Sequence, residues 1–132
     1  MPVAEPGDTA TQAVTVTEAT IDDYAAVTGD DNPLHLDAEY AADGLFGGRV
    51  AHGMFTAGVV SAALAALPGD VVYDSQELSF EAPVAPGGTV TAEVEVVEQL
   101  DGDRLRVDTV AASEETTVLT GEATVLSLPH DS

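Results

Sequence analysis

The stretch TGDDNPLHLDAEY, residues 28–40, gathers Asp30, Asn32 and His35 in a chain with only three histidines. A carboxylate and an imidazole form the commonest pair for moving protons near neutral pH. Asn32 can donate and accept hydrogen bonds, so it can orient a partner or a water. Pro33 holds Asn32 out of the helical region, so the three side chains leave a constrained turn and can share one cleft. That is an acid/base constellation without a nucleophile. Plainer readings compete with it. Asp and Asn often do no more than cap turns, and a lone His is often only a satisfied structural residue. A metal site is a third reading, with His35, Asp37 and Asp30 or Asp31 as ligands. It lacks a second His at helical spacing, so no metal is expected. Asp31 reads as solvated charge.

A second feature follows at AHGM, residues 51–54. It opens a long apolar run. The first N–H groups of a helix have no intrahelical partner, and the helix dipole favours negative charge there. Gly53 has no side chain, so a substrate oxygen can approach its N–H closely. That is the geometry of an oxyanion hole. Gly53 and Gly58 would also permit tight packing. His52 reads as structural, donating from its ring to the preceding loop.

The elements around these residues must position them. Residues 1–11 read as a flexible polar arm, leaving 12–132 as a single domain. QAVTVT, 12–17, alternates and predicts a short strand. Thr17 is the N-cap of a helix over 18–28, with Ile21, Tyr24, Ala25 and Thr28 on one face. Gly29 ends that helix, so the acid/base stretch starts at a helix end. A short helix over 37–43 follows, then the loop DGLFGGR. Residues 50–67 are almost long enough to span a membrane. They contain His52, Thr56 and Ser61, and are rich in Ala and Gly, so a buried central helix is expected instead. Pro68-Gly69 ends it. Strands are expected over 71–81, 89–98, 104–112 and 116–128, joined by short turns. Val90, Ala92, Val94 and Val96 share one face, and Leu105 and Val107 point inward. Short connections imply an antiparallel sheet, apolar on one side. The expected class is α+β, with a long helix laid on a curled sheet.

Composition sets the remaining bounds. The length of 132 residues fits one domain with its own core. Without Cys there are no disulfides or thiolate zinc sites. The N-terminus has no basic start or apolar h-region, so a cytoplasmic protein is expected. Twenty-four acids face three cations, Arg49, Arg104 and Arg106, with no Lys, for a formal net charge of −21. Such a surface disfavours nucleic acid, which needs clustered Lys and Arg. It repels itself in dilute buffer, and molar salt shortens the Debye length to about 3 Å. The composition reads as that of a halophile protein.

Asp-Asp-Asn-Pro-Leu-His over 30–35, followed by LFGGRVAHGM, resembles the signature of the MaoC-like dehydratase family. That family includes the R-specific enoyl-CoA hydratases and has a hotdog fold. The signature covers roughly residues 24–58, and the element order fits nearly the whole chain. The resemblance implies reversible syn hydration of a trans-2-enoyl-CoA to an R-3-hydroxyacyl-CoA, without a cofactor. It assigns Asp30 and His35 as the pair that holds and activates water, Asn32 as the orienting residue, and Gly53 as the backbone donor to the thioester carbonyl. Arg49 is the preferred candidate for the CoA phosphates, against a plain salt-bridge role. Gly58 stands where some relatives have Ser, which leaves acyl-chain length unspecified. The resemblance also implies a homodimer with edge-joined sheets, and an unpaired edge strand gives the physical motive. Two other activities suit the same fold. A non-catalytic acyl-thioester-binding subunit of a larger enzyme would not need the Asp30–His35 pair. A thioesterase would release free thiol.

Overall fold

Thr17 starts the first helix by reciprocal capping. Its side chain accepts from the Thr20 N–H at 3.0 Å, and Thr20 Oγ1 accepts from the Thr17 N–H at 2.8 Å. Gly29 stops it in the left-handed region at φ 82°, where its N–H bonds the Ala25 carbonyl. The computed structural model describes residues 2–129. In chain order the elements are β1 (Thr9–Thr15), α1 (Glu18–Thr28), α2 (Pro33–Leu36), α3 (Ala38–Ala42), α4 (Gly53–Ala65), β2 (Asp70–Phe80), β3 (Thr89–Gln99), β4 (Arg104–Ser113) and β5 (Thr116–Leu128).

The strands form one five-stranded sheet in the order β1-β3-β4-β5-β2, with every neighbouring pair antiparallel. Alternation decides its two faces. Val90, Ala92, Val94 and Val96 are buried along β3, and Leu105 and Val107 continue the layer on β4. The intervening Thr and Glu residues of β3 face solvent. Helix α4 lies on the apolar face and packs against β1, β2, β3 and β4. Val59, Val60, Ala63 and Leu64 supply its buried side. This α+β arrangement is the expected one.

Three local features differ from the sequence reading. The segment read as an arm over 1–11 is docked from Val3 onward. The Val3 N–H bonds the Ser127 carbonyl at 3.1 Å, Ala4 is 1% exposed, and the Gly7 N–H bonds the Val96 carbonyl at 2.9 Å. Strand β1 starts at Thr9, because backbone groups at 9–11 find partners on β3. The Pro33 segment is also more regular than an open loop, since Asn32 caps the single turn α2. Finally, α4 is covered on one side only. Met54 is 57% exposed, and Gly58, Ala62 and Ala65 continue a bare stripe along the same side. A helix apolar all round carries no periodicity to mark such a face. None of the described helices is long and apolar enough to cross a membrane.

Candidate active site

The site forms where α2 meets the start of α4. Asn32 Oδ1 accepts from the Leu34 N–H at 3.1 Å, and Pro33 fills the first helical position. This turn places His35 against the segment before α4, where its Nδ1 lies 2.8 Å from the Val50 carbonyl. A carbonyl oxygen only accepts, so Nδ1 carries the hydrogen. Nε2 of the neutral ring is then free to take a proton or hold a water.

His52 lies beneath His35. The two rings stack with centroids 3.9 Å apart and planes 25° apart. His52 Nε2 donates to the Asp30 carbonyl at 2.9 Å, and Tyr24 of α1 backs the ring at 4.6 Å between centroids. His52 is 2% exposed, and its Nδ1 has no hydrogen-bond partner. An unsatisfied buried acceptor costs about 1–3 kcal/mol. A ring nitrogen of His35, one of His52 and a carboxylate oxygen of Asp30 all lie within 4.8 Å of one another. Asp30 is exposed and His35 half-buried. The three have residue types that bind metals. However, the in-plane lone pairs of stacked rings do not converge on one ion.

A spacing of up to 4.8 Å admits a bridging water. Two hydrogen bonds of about 2.8 Å meeting at a near-tetrahedral water span about 4.5 Å. Beside it opens a cavity of ≈ 270 Å³ lined by His35, Phe46, Gly53, Thr56, Phe80 and Val84 among others. Gly53 is the first residue of α4 and follows the N-cap His52, so its N–H belongs to the unpartnered group of a helix start. The Ala51 N–H bonds the Val84 carbonyl at 2.8 Å and fixes this helix start against the loop before β3. A larger depression of ≈ 610 Å³ lies on the solvent face of the sheet over Glu93, Glu95 and Asp108. It brings no imidazole to those carboxylates, so its size does not mark it as the reaction site.

A Cβ on Gly53 would stand 2.8 Å from Phe80 Cε1. Gly53→Ala must therefore displace the Phe80 ring from the cavity wall. Phe80 is partly exposed and can move, so the fold should survive. Turnover at this site is expected to fall about tenfold in kcat/KM, with the unfolding midpoint little changed. Unaltered kinetics would show that the close approach at Gly53 is not used.

The structure places Asp30 near His35, and sets His35 and Gly53 along one cavity that Asp30 does not line. It gives the other two sequence candidates different work. Asn32 orients the turn that carries His35, through its cap on Leu34. Arg49 does not present its charge to a ligand. Its Nε donates to the His35 carbonyl at 2.6 Å, and its terminal nitrogens bond Glu18 at 3.2 Å and Asp22 at 2.7 Å. With its side chain only 10% exposed, Arg49 ties α1, α2 and the loop before α4 into one frame. The nearest acids claimed it, as the salt-bridge reading allowed. The contact of His52 with both Asp30 and His35 was not legible, although its donation to the loop was expected.

A long helix laid on a curled five-stranded antiparallel sheet is the hotdog architecture. The MaoC like domain model matches residues 3–118, so the chain belongs to the MaoC-like family. It is 46% identical over 105 residues to the 3-hydroxybutyryl-CoA dehydratase of Methylorubrum extorquens, covering 77% of this chain and 67% of that protein. It is 39% identical over 123 residues to the (R)-specific enoyl-CoA hydratase of Rhodospirillum rubrum, covering 91% and 85%. Among solved structures, the unliganded R-hydratase PhaJ1 from Pseudomonas aeruginosa superposes with a TM-score of 0.88 at 36% identity, covering 98% of this chain and 88% of that one.

Proposed function

We propose that this chain is an R-specific enoyl-CoA hydratase, adding water reversibly and syn across a trans-2-enoyl-CoA to give the R-3-hydroxyacyl-CoA. The observation that supports the reading is the proximity of Asp30 and His35, whose proton-carrying atoms lie within 4.8 Å of one another, with His35 and Gly53 lining one cavity. Attack at C3 builds enolate-like charge on the thioester oxygen. A donor aimed at that oxygen stabilises the transition state more than the ground state. Asp30 and His35 share the proton work: the proton taken from water as oxygen bonds C3 is relayed through the pair to C2, so neither group has to begin protonated. Delivery from one side of the substrate makes the addition syn. Crotonyl-CoA in molar KCl should lose its enoyl-thioester absorbance and yield the R-3-hydroxy product. Release of free thiol without that product would instead indicate a thioesterase. A folded protein inert toward short, long and branched enoyl-CoAs would leave a binding role.

The working unit is a homodimer. Strand β2 is a sheet edge carrying the exposed Val72, Tyr73 and Phe80, and the bare stripe of α4 runs beside it. An open edge with apolar side chains invites pairing. Between stripe and edge lies a cavity of ≈ 430 Å³ lined by Met54, Gly58, Ser61 and Tyr73 among others. Burial pushes the Tyr73 hydroxyl above its ordinary pKa, and a bond to Ser61 partly offsets this. The hydroxyl therefore stays neutral and donates to Gln76 at 2.9 Å. A Cβ at Gly58 meets nothing within 4 Å in the single chain. Gly58→Gln should leave the protomer folded while blocking close approach of a second copy. Light scattering is expected to give twice the chain mass for the wild type and a fall toward one chain for the variant. A wild-type monomer at working concentration would overturn the assembly.

A further inference from the structure

We infer that His52 is a positioning residue for this reaction, holding the Asp30 main chain, and through it the Asp30 carboxylate, at water-bridging distance from His35. The inference rests on the hydratase reading above. His52 touches both members of the proposed pair although neither is near it in sequence: Nε2 donates to the Asp30 carbonyl across 22 residues, and its ring stacks on His35. Its own location is fixed, because it is the N-cap residue of α4, is 2% exposed, and has Tyr24 on the ring. It therefore couples the rigid helix to a residue that otherwise sits in an exposed turn. The other main-chain restraint on Asp30 is a longer bond from its N–H to Thr28 Oγ1, at 3.2 Å.

The unpartnered Nδ1 argues that the position is kept for its other nitrogen. An apolar side chain of similar size would fill the space without stranding a buried acceptor. It could not donate to Asp30. His52 itself lies behind the ring of His35 and is buried, so it acts through Asp30 and His35 and not on the substrate.

Three variants isolate that donation. His52→Phe keeps a ring on His35 and removes the donor. His52→Gln loses the ring but carries an amide nitrogen at about the reach of imidazole Nε2. His52→Asn carries the same amide one methylene short. Misplacement of a catalytic group by about 1 Å can cost about 100-fold. His52→Phe and His52→Asn are accordingly expected to lower kcat about 10- to 100-fold with KM changed less than about threefold, and His52→Gln to restore kcat to within about fivefold of wild type. Should the Phe variant not fold, the Asn–Gln pair makes the same comparison with chemistry held constant. In parallel, the carbonyl-carbon NMR shift of Asp30 should move in the Phe and Asn variants and return in Gln. This readout does not depend on turnover, so it tests the bond even if the hydratase reading fails. Equal impairment of Gln and Asn, full activity in Phe, or an Asp30 carbonyl shift unchanged in all three variants would each overturn the inference.

Discussion

Replacing Asp30 by Asn is expected to reduce kcat for enoyl-CoA hydration about 1,000-fold while KM and the unfolding midpoint change little, since positioned acid/base groups contribute about 100- to 10,000-fold. The separation of effects follows from how Asp30 is held. Its structural bonds run through the main chain, with the N–H on Thr28 and the carbonyl on His52. The carboxylate is exposed and can lose its charge without unfastening the turn. Asn is nearly isosteric but cannot exchange a proton at neutral pH, so the variant tests chemistry alone. His35 needs a more careful substitution, because its Nδ1 bond to the Val50 carbonyl fastens the turn that carries it. His35→Asn places an amide nitrogen near the position of Nδ1 and removes Nε2, together with the ring that stacks on His52. It should fall about as far as Asp30→Asn. The double variant should lose much less than the product of the two, because both residues serve one proton-transfer unit. Losses that multiply would mean the residues act independently. An Asp30→Asn enzyme with wild-type kcat would remove Asp30 from the reaction.

The parts of this site that sequence made legible are those governed by local rules. Thr17 and Gly29 bound α1 because a capping oxygen and a left-handed glycine act within one turn. Alternation in 89–98 and 104–112 set the faces of β3 and β4, since the period of a strand is carried by its own residues. What stayed hidden depends on distant partners. Ala4 bonds Ser127 Oγ from the far end of the chain, and nothing in a Pro- and Gly-containing N-terminus announces that. Arg49 was ambiguous between ligand and brace, because the answer depended on where Glu18 and Asp22 lie once α1 has packed. The bare side of α4 was hidden for another reason. With Ala, Val, Gly, Leu, Phe and Met all around, every face looks fit for burial, and only the one-sided sheet decides which is covered.

The acidic surface of the whole domain shapes the second large effect. Raising KCl from about 0.1 M to about 2 M is expected to raise the unfolding midpoint and to lower KM for enoyl-CoA about tenfold, as the Debye length contracts from about 10 Å to under 3 Å. The stabilising part follows from a formal net charge of −21 on one small domain. The substrate part follows from the fate of the cations. Arg49 is held by Glu18 and Asp22, Arg104 by Asp74 at 3.1 Å, and Arg106 by Glu98 and Glu122. Each Arg thus faces its own acids, and there is no Lys to meet the phosphates of CoA. An anionic substrate approaching an anionic surface gains from mobile cations what fixed side chains would otherwise supply. An enoyl-pantetheine thioester has the same reacting centre and lacks the nucleotide phosphates, so it separates the two effects. Its kcat should track the folded fraction as the CoA ester's does, while its KM stays nearly flat across the same titration. Circular dichroism at each salt concentration supplies the folded fraction. If KM falls equally for both thioesters, salt acts on the protein alone and repulsion of the CoA phosphates plays no part. If only the CoA ester responds, the acidic surface sets a salt requirement for substrate capture distinct from the requirement for folding.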